Sequence, residues 1–301
     1  MKAKRKNLII RAMVCAIFGA LIGFIVTESI GIAGSPGQRT AAVWLGYSRL
    51  ATYYEKEEIY QDKMKTLNDA YEKYCKDQGL NPKDSNNMTQ WMNTETDLAA
   101  KLYANYANAQ TDSQNALNQS LKEEFTFATE ELEATCDRVS QISSAAWAGL
   151  IGLFVGFFMA LCSLSRKMGF VKKILAALGI ALLSAGLGAL SGLFAETVYK
   201  ALVPEDLGSL ATLLARGLGW SVMGLGVGFS VGLIRPRLKK ILLCSLGGFL
   251  GAFLGGCLFE IFAQLITTNG VMARGLALLS MGALIGIGVG FFLGQQLEEA
   301  G

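Results

Sequence analysis

Six stretches of this chain, at residues 8–32, 145–164, 171–199, 210–234, 241–266 and 276–294, are apolar almost without interruption. Each approaches or exceeds the ~20 residues that a helix needs to cross ~30 Å of hydrocarbon. A segment in lipid must satisfy its own backbone donors and acceptors, which a helix does internally. Helices of soluble cores are seldom apolar all the way round. The chain is therefore expected to be an all-α integral membrane protein with six transmembrane helices.

Two outgoing-and-returning pairs of spans lie side by side, at 171–235 and 237–296. Superposing their returning halves sets Arg216 on Arg274, Gly217 on Gly275, Gly224 on Gly282, Gly228 on Gly286 and Gly232 on Gly290. Their outgoing halves match through Glu196 and Glu260. A first copy carries Gly19, Gly23 and Glu28 going out and Gly152, Gly156 and Ala160 coming back. Its halves, 1–33 and 143–165, are separated by a polar insert at 34–142. Three glycine-rich hairpins of parallel topology imply a pseudo-threefold axis along the membrane normal, unlike the inverted repeats of many transporters. The four prolines, Pro36, Pro82, Pro204 and Pro236, all fall in expected loops. No span therefore reads as the broken helix that marks a midplane substrate site.

Basic residues orient the spans. Lys2, Lys4, Arg5 and Lys6 precede the first copy, Arg166, Lys167, Lys172 and Lys173 the second, and Arg235, Arg237, Lys239 and Lys240 the third. The positive-inside rule places both termini in the cytoplasm and the insert outside. The insert holds 17 acidic and 11 basic residues, against 7 and 16 in the remainder, so the formal net charge of +3 averages two unlike parts. It is no signature of nucleic-acid binding. The first apolar run exceeds the 7–15 residues of a signal peptide's core and forms half of a repeat, so it is expected to be retained.

Small residues recur at every fourth position: Gly19 and Gly23; Gly152 and Gly156; Gly224, Gly228 and Gly232; Gly247, Gly251 and Gly255; Gly282, Gly286 and Gly290. This spacing gives each span a face on which helix backbones can approach. Packing within one chain is the first reading; a glycine-lined homo-oligomeric channel is the second. At one end of the spans, Glu196 with Arg216 and Glu260 with Arg274 are expected to clasp the second and third hairpins. A charged vestibule ring is the functional alternative. In its own hairpin, Glu28 is matched by Ser143 and Ser144 rather than an arginine.

The chain contains no histidine. That removes imidazole as base, proton relay or metal ligand, along with most zinc sites and the Ser-His-Asp nucleophile arrangement. No catalytic, cofactor or metal residues emerge, and no enzyme is expected. Cys15, Cys162, Cys244 and Cys257 fall within spans, where cysteine commonly serves as a small hydrophobe.

The insert reads as α-helical, a coiled coil or small bundle. Tyr53, Tyr60, Leu67 and Tyr74 recur at heptad spacing, with Met64 and Tyr71 one turn along. A second stripe runs through Met88, Trp91, Met92, Leu98, Leu102 and Tyr106. Thr111 with Gln114 suggests a capping box and a break. A third stripe follows from Leu117 to Val139 and continues into the second span. In a straight hairpin Cys75 and Cys136 would stand far beyond the ~4.4–6.8 Å Cα separation of a disulfide. A folded-back bundle would allow Cys75–Cys136 to bridge.

The Arg216–Trp220 run, Arg-Gly-Leu-Gly-Trp, followed by Gly224, Gly228 and Gly232, resembles a unit of a family of uncharacterised bacterial multi-spanning membrane proteins built from glycine-zipper hairpins. Arg274–Ala277 repeats it with Leu278 in the tryptophan's place, and the first copy has Trp147. The resemblance covers the membrane part only. It implies a bacterial plasma membrane and, because such proteins occur near forkhead-associated or von Willebrand A domains, a signalling or envelope assembly. Together these features suggest a non-enzymatic scaffold or sensor. Its partners would be the lipid bilayer and a protein bound through residues 34–142 or the cytoplasmic loops, with homo-oligomers open and no nucleic acid. A channel or permeation protein is the alternative.

Overall fold

A computed structural model describes residues 2–82, 84–164, 168–202, 208–234, 237–266 and 270–299. Arg166, Lys167, Pro204, Arg235 and Pro236 lie outside the described residues, as do the side chains of Lys2, Lys4, Arg5 and Glu196. Helices follow one another along the described chain: α1 (Lys2–Ser29), α2 (Ser35–Trp44), α3 (Ser48–Gln78), α4 (Ser85–Thr94), α5 (Thr96–Glu123), α6 (Thr129–Ser163), α7 (Phe170–Leu202), α8 (Gly208–Gly232), α9 (Leu238–Leu265) and α10 (Gly270–Glu299). Six of them, α1 and α6–α10, are long and apolar enough to cross a membrane. The expectation of an all-α, multi-pass membrane protein holds. Two compact units result, Met1–Ala33 with Ser140–Gly301 and, separately, Gly34–Val139.

In the first unit the helices form a ring in the order α1, α6, α7, α8, α9, α10 and back to α1. Gly19 and Gly23 face α6, Gly152 and Gly156 face α7, and Gly224, Gly228 and Gly232 face α9. Gly251 and Gly255 face α10, and Gly282, Gly286 and Gly290 face α1. At most of these glycines a Cβ would come within 3 Å of the neighbouring helix, so no larger residue fits without displacement. Since lipid offers little hydrophobic drive for helix association, such close packing is what holds the ring together.

The same register recurs at three interfaces. A Cβ on Gly152 would strike Ser184 O, one on Gly224 would strike Gly248 O, and one on Gly282 would strike Ala16 O. Within pairs, Gly19 meets Phe154 O and Gly251 meets Leu284 O, whereas between α7 and α8 the sizes are exchanged and Gly226 makes room for Leu187. The residue before each small one on α6, α8 and α10 points into the ring. Ile151, Met223 and Met281, then Val155, Val227 and Ile285, then Met159, Val231 and Val289 are all buried in one continuous core. Large side chains fill the interior while small ones set the helix spacing.

The second unit is built on an antiparallel pair, α3 and α5, with α4 turning between them. Ser113 Oγ donates to Glu57 Oε2 at 2.6 Å, the Tyr60 and Tyr106 hydroxyls lie 3.5 Å apart, and Tyr71 packs on Trp91 at 5.6 Å. One end is closed by Leu67, Tyr71, Cys75, Trp91 and Ala99. At the other, Glu124 accepts from Arg49 N at 2.6 Å and Leu50 N at 2.9 Å, satisfying amides that open α3. Tyr47 stacks on Phe125 beside it at 5.3 Å. Gln119, chiefly, and Arg49 hold the Glu123 carboxyl below its ordinary range.

Three expectations for this unit are corrected. Thr111 opens no helix: its hydroxyl donates to Ala107 O within α5, which runs on to Glu123. The chain instead breaks before α6, where Thr126 and Phe127 adopt positive φ. An earlier break at Gly46, with φ of 87°, separates α2 from α3. Cys75 and Cys136 are both free. The Cys136 thiol meets the Tyr54 hydroxyl, and Cys75 lies 21 residues further along α3, about 31 Å at helical rise. The disulfide joins Cys15 on α1 to Cys162 on α6, with their Cα atoms 6.8 Å apart.

Candidate functional site

Four ionisable residues of the six-helix unit, Glu28, Arg216, Glu260 and Arg274, pair near one end of their helices. Arg274 donates through Nε to Glu28 Oε1 at 2.8 Å and through Nη2 to Glu28 Oε2 at 3.0 Å. Arg216 Nε stands 3.5 Å from Glu260 Oε2, and its guanidinium lies 5.8 Å from the Phe259 ring centre. The expected clasp of Glu260 with Arg274 is thus replaced by pairs between hairpins, while the clasp of Glu196 with Arg216 lies outside the described residues, the Glu196 side chain not being among them. Packing explains the exchange. Gly217 and Gly275, next to the two arginines, face Phe253 of α9 and Phe24 of α1, so each arginine springs toward the neighbouring hairpin.

Counting from the shared register defines a third interface of this kind. Glu260 lies twelve residues beyond Gly248, and Glu28 twelve beyond Ala16; twelve beyond Ser184 on α7 is Glu196. Arg216 lies eight residues before Gly224, and Arg274 eight before Gly282; eight before Gly152 on α6 is Ser144. The backbone agrees, since Gly192 abuts Ser144 O as Gly256 abuts Arg216 O. One turn along, Ala148 takes the place held by Trp220 and Leu278. At this interface two small residues replace two large ones.

A cavity of about 220 Å³ occupies the place, between α6, α7 and α8, lined among others by Ser144, Trp147, Ala148, Ser191, Arg216 and Trp220. Trp147 and Trp220 meet edge to face at 5.2 Å, and Trp220 stacks on Phe259 at 5.9 Å. Ser191 Oγ donates to Gly219 O at 2.9 Å. The buried Trp147 Nε1 has no acceptor. Buried polar groups are nearly always paired, so such an exception marks a place where something else can bind.

Sequence reading found Arg216 and noticed the serines opposite Glu28, but did not find the cavity. The signal was present in the alignment of Ser144 with Arg216 and Arg274. Its consequence depends on which helices are neighbours. No family model matches the chain, and neither the curated proteins nor the solved structures contain a match.

Proposed function

We propose that the chain is a non-enzymatic membrane scaffold or sensor, in which three hairpins of parallel topology form a plasma-membrane platform that displays an acidic helical domain outside the cell for a protein partner. The carrying observation is the contrast between the two units. In one, layered apolar side chains from α6, α8 and α10 fill the ring; in the other, a helical pair presents a largely polar surface with scattered exposed apolar residues such as Ile59, Leu98 and Tyr103. The repeated register at three helix interfaces supports the threefold reading of the platform. Basic residues ahead of each hairpin support cytoplasmic termini.

The filled ring weighs against a pore through a single chain, so the channel alternative would need a path between copies. Two measurements separate the readings. A photo-crosslinker placed at Leu98 and at Tyr103 in intact cells is expected to give one reproducible protein adduct, while liposomes carrying the full chain show no ion or solute flux. Flux without an adduct would reverse the assignment.

A further inference from the structure

The Cys15–Cys162 disulfide stands where the ring needs no covalent bond. Gly19 of α1 meets Phe154 O as Gly251 of α9 meets Leu284 O, a register that equates Cys15 with Gly247 and Cys162 with Phe292. In that third hairpin a Cβ on Gly247 would meet the Phe292 ring, so the same place is held by packing alone. Between α7 and α8, where Gly226 faces Leu187, the matching residues are Leu183 and Ile234. Two free thiols, small and soft, would pack there as well. The ring is therefore compatible with the pair open or joined.

Its location decides which form prevails. Cys162 is the last residue but one of α6, and Cys15 lies one turn beyond Arg11, whose carbonyl oxygen stands 3.8 Å from Cys162 Sγ. Both cysteines are only half-buried. The starts of α1, α7 and α9, at this same end, carry Lys6, Lys172, Lys173 and Lys239. With the basic ends in the cytoplasm, the pair faces a compartment that keeps thiols reduced, where disulfides are usually transient, catalytic or redox-sensing.

We infer that Cys15 and Cys162 are a redox-sensing thiol pair, open in the resting cell and joined when a low-molecular-weight disulfide accumulates. The Cys162 thiolate attacks that disulfide and releases one thiolate; the Cys15 thiolate then attacks Cys162 Sγ and releases the other. The two cysteines lose two protons and two electrons, and the reagent takes up both as two free thiols. The bond clamps α1 to α6, the helices by which the chain enters and leaves the insert, and so gives the sensor reading its stimulus. The inference rests on the orientation proposed above.

The test quenches cells making the full chain with acid, alkylates them at once with N-ethylmaleimide, and identifies each cysteine by peptide mass. Cys15 and Cys162 are expected to be alkylated in untreated cells. Diamide, which converts cellular glutathione to its disulfide, should replace both adducts by a joined Cys15–Cys162 peptide, and its removal should restore them. Cys15→Ser should instead leave glutathione trapped on Cys162. In the purified full chain the joined-to-open ratio should change about tenfold for a tenfold change in [GSSG]/[GSH]². Orientation is read separately, by labelling Cys136 with an impermeant maleimide on intact cells and on inverted vesicles. A pair already joined in untreated cells, with Cys136 labelled from outside, would overturn the inference and leave the orientation standing. Labelling of Cys136 in inverted vesicles alone would overturn the orientation and cytoplasmic sensing with it. No joined peptide under diamide would overturn the inference in either orientation.

Discussion

Arg274 and Glu28, 246 residues apart in sequence, form a two-pronged ion pair that ties the last helix to the first and closes the ring. The fork geometry is the strong form of such a contact. With 26% and 21% of their side chains exposed, the partners fall between the exposed and the buried limits. Loss of one partner is expected to cost about 1–3 kcal/mol. Arg274→Gln and Glu28→Gln should each lower stability in detergent, and the double variant should lose less than the sum. Strictly additive losses would mean that the pair contributes nothing as a pair.

The glycines divide into two groups that substitution should separate. A Cβ on Gly228 would run into the backbone of Cys244 and Ser245, whereas Gly179 and Gly186 on α7 have open space beside them. Gly228→Ala is expected to destabilise by about 1–3 kcal/mol through overpacking. Gly179→Ala and Gly186→Ala should gain about 0.5–1 kcal/mol from helix propensity. Unfolding in detergent distinguishes the groups; three equal effects would show that spacing alone, without the neighbour's backbone, was an insufficient guide.

Sequence periodicity identified faces more readily than neighbours. Spacing of four residues made Gly224, Gly228 and Gly232 one face, and length with apolarity made six helices. Equivalence of Arg216 with Arg274 says nothing about whether each turns to its own hairpin or to the next, because every returning helix has two neighbours. That choice rests on local relief such as Gly217 against Phe253 and Gly275 against Phe24. The cavity follows from the same choice, since Ser144 leaves a space only where an arginine would otherwise lie. In the insert, Thr111 carried a helix-start signal, but its hydroxyl is satisfied by Ala107 O inside a continuous helix. The true break, with positive φ at Thr126 and Phe127, falls on residue types that rarely adopt it.

The tyrosines of α3 should titrate late. Burial first, and then the Cys75 thiol, pushes Tyr71 up to about 12; burial and then Cys136 push Tyr54 up as well. Tyr53 is raised mainly by burial and Tyr60 mainly by its hydrogen bond to Tyr106. A phenol whose folded value exceeds its unfolded ~10 contributes stability that is complete below pH ~10 and disappears as pH rises through the folded value. Tyrosinate absorbance of the full chain is therefore expected to rise in at least two steps, the later one coinciding with loss of helix in the insert. Tyr71→Phe should diminish that step. A single transition near the ordinary tyrosine value would contradict the packing of Tyr54 and Tyr71 against their thiols.

Thiol counting tests the chain's cross-links and the length of the insert together. Of the six cysteines, Cys75, Cys136, Cys244 and Cys257 are free, and Cys15 is joined to Cys162. Protein purified under air and denatured without reductant should take up four maleimide labels, and six after reduction. Cys15→Ser should raise the first count to five by releasing Cys162. In the folded chain Cys136, only half-buried, should react before Cys75, which is fully buried under Trp91 and Tyr71. If the insert folded back to bridge Cys75 and Cys136, the unreduced count would start at two, and Cys75→Ser would raise it to three by freeing Cys136. With α3 extended, the same substitution should lower the count from four to three, because Cys75 and Cys136 stand about 31 Å apart along the helix.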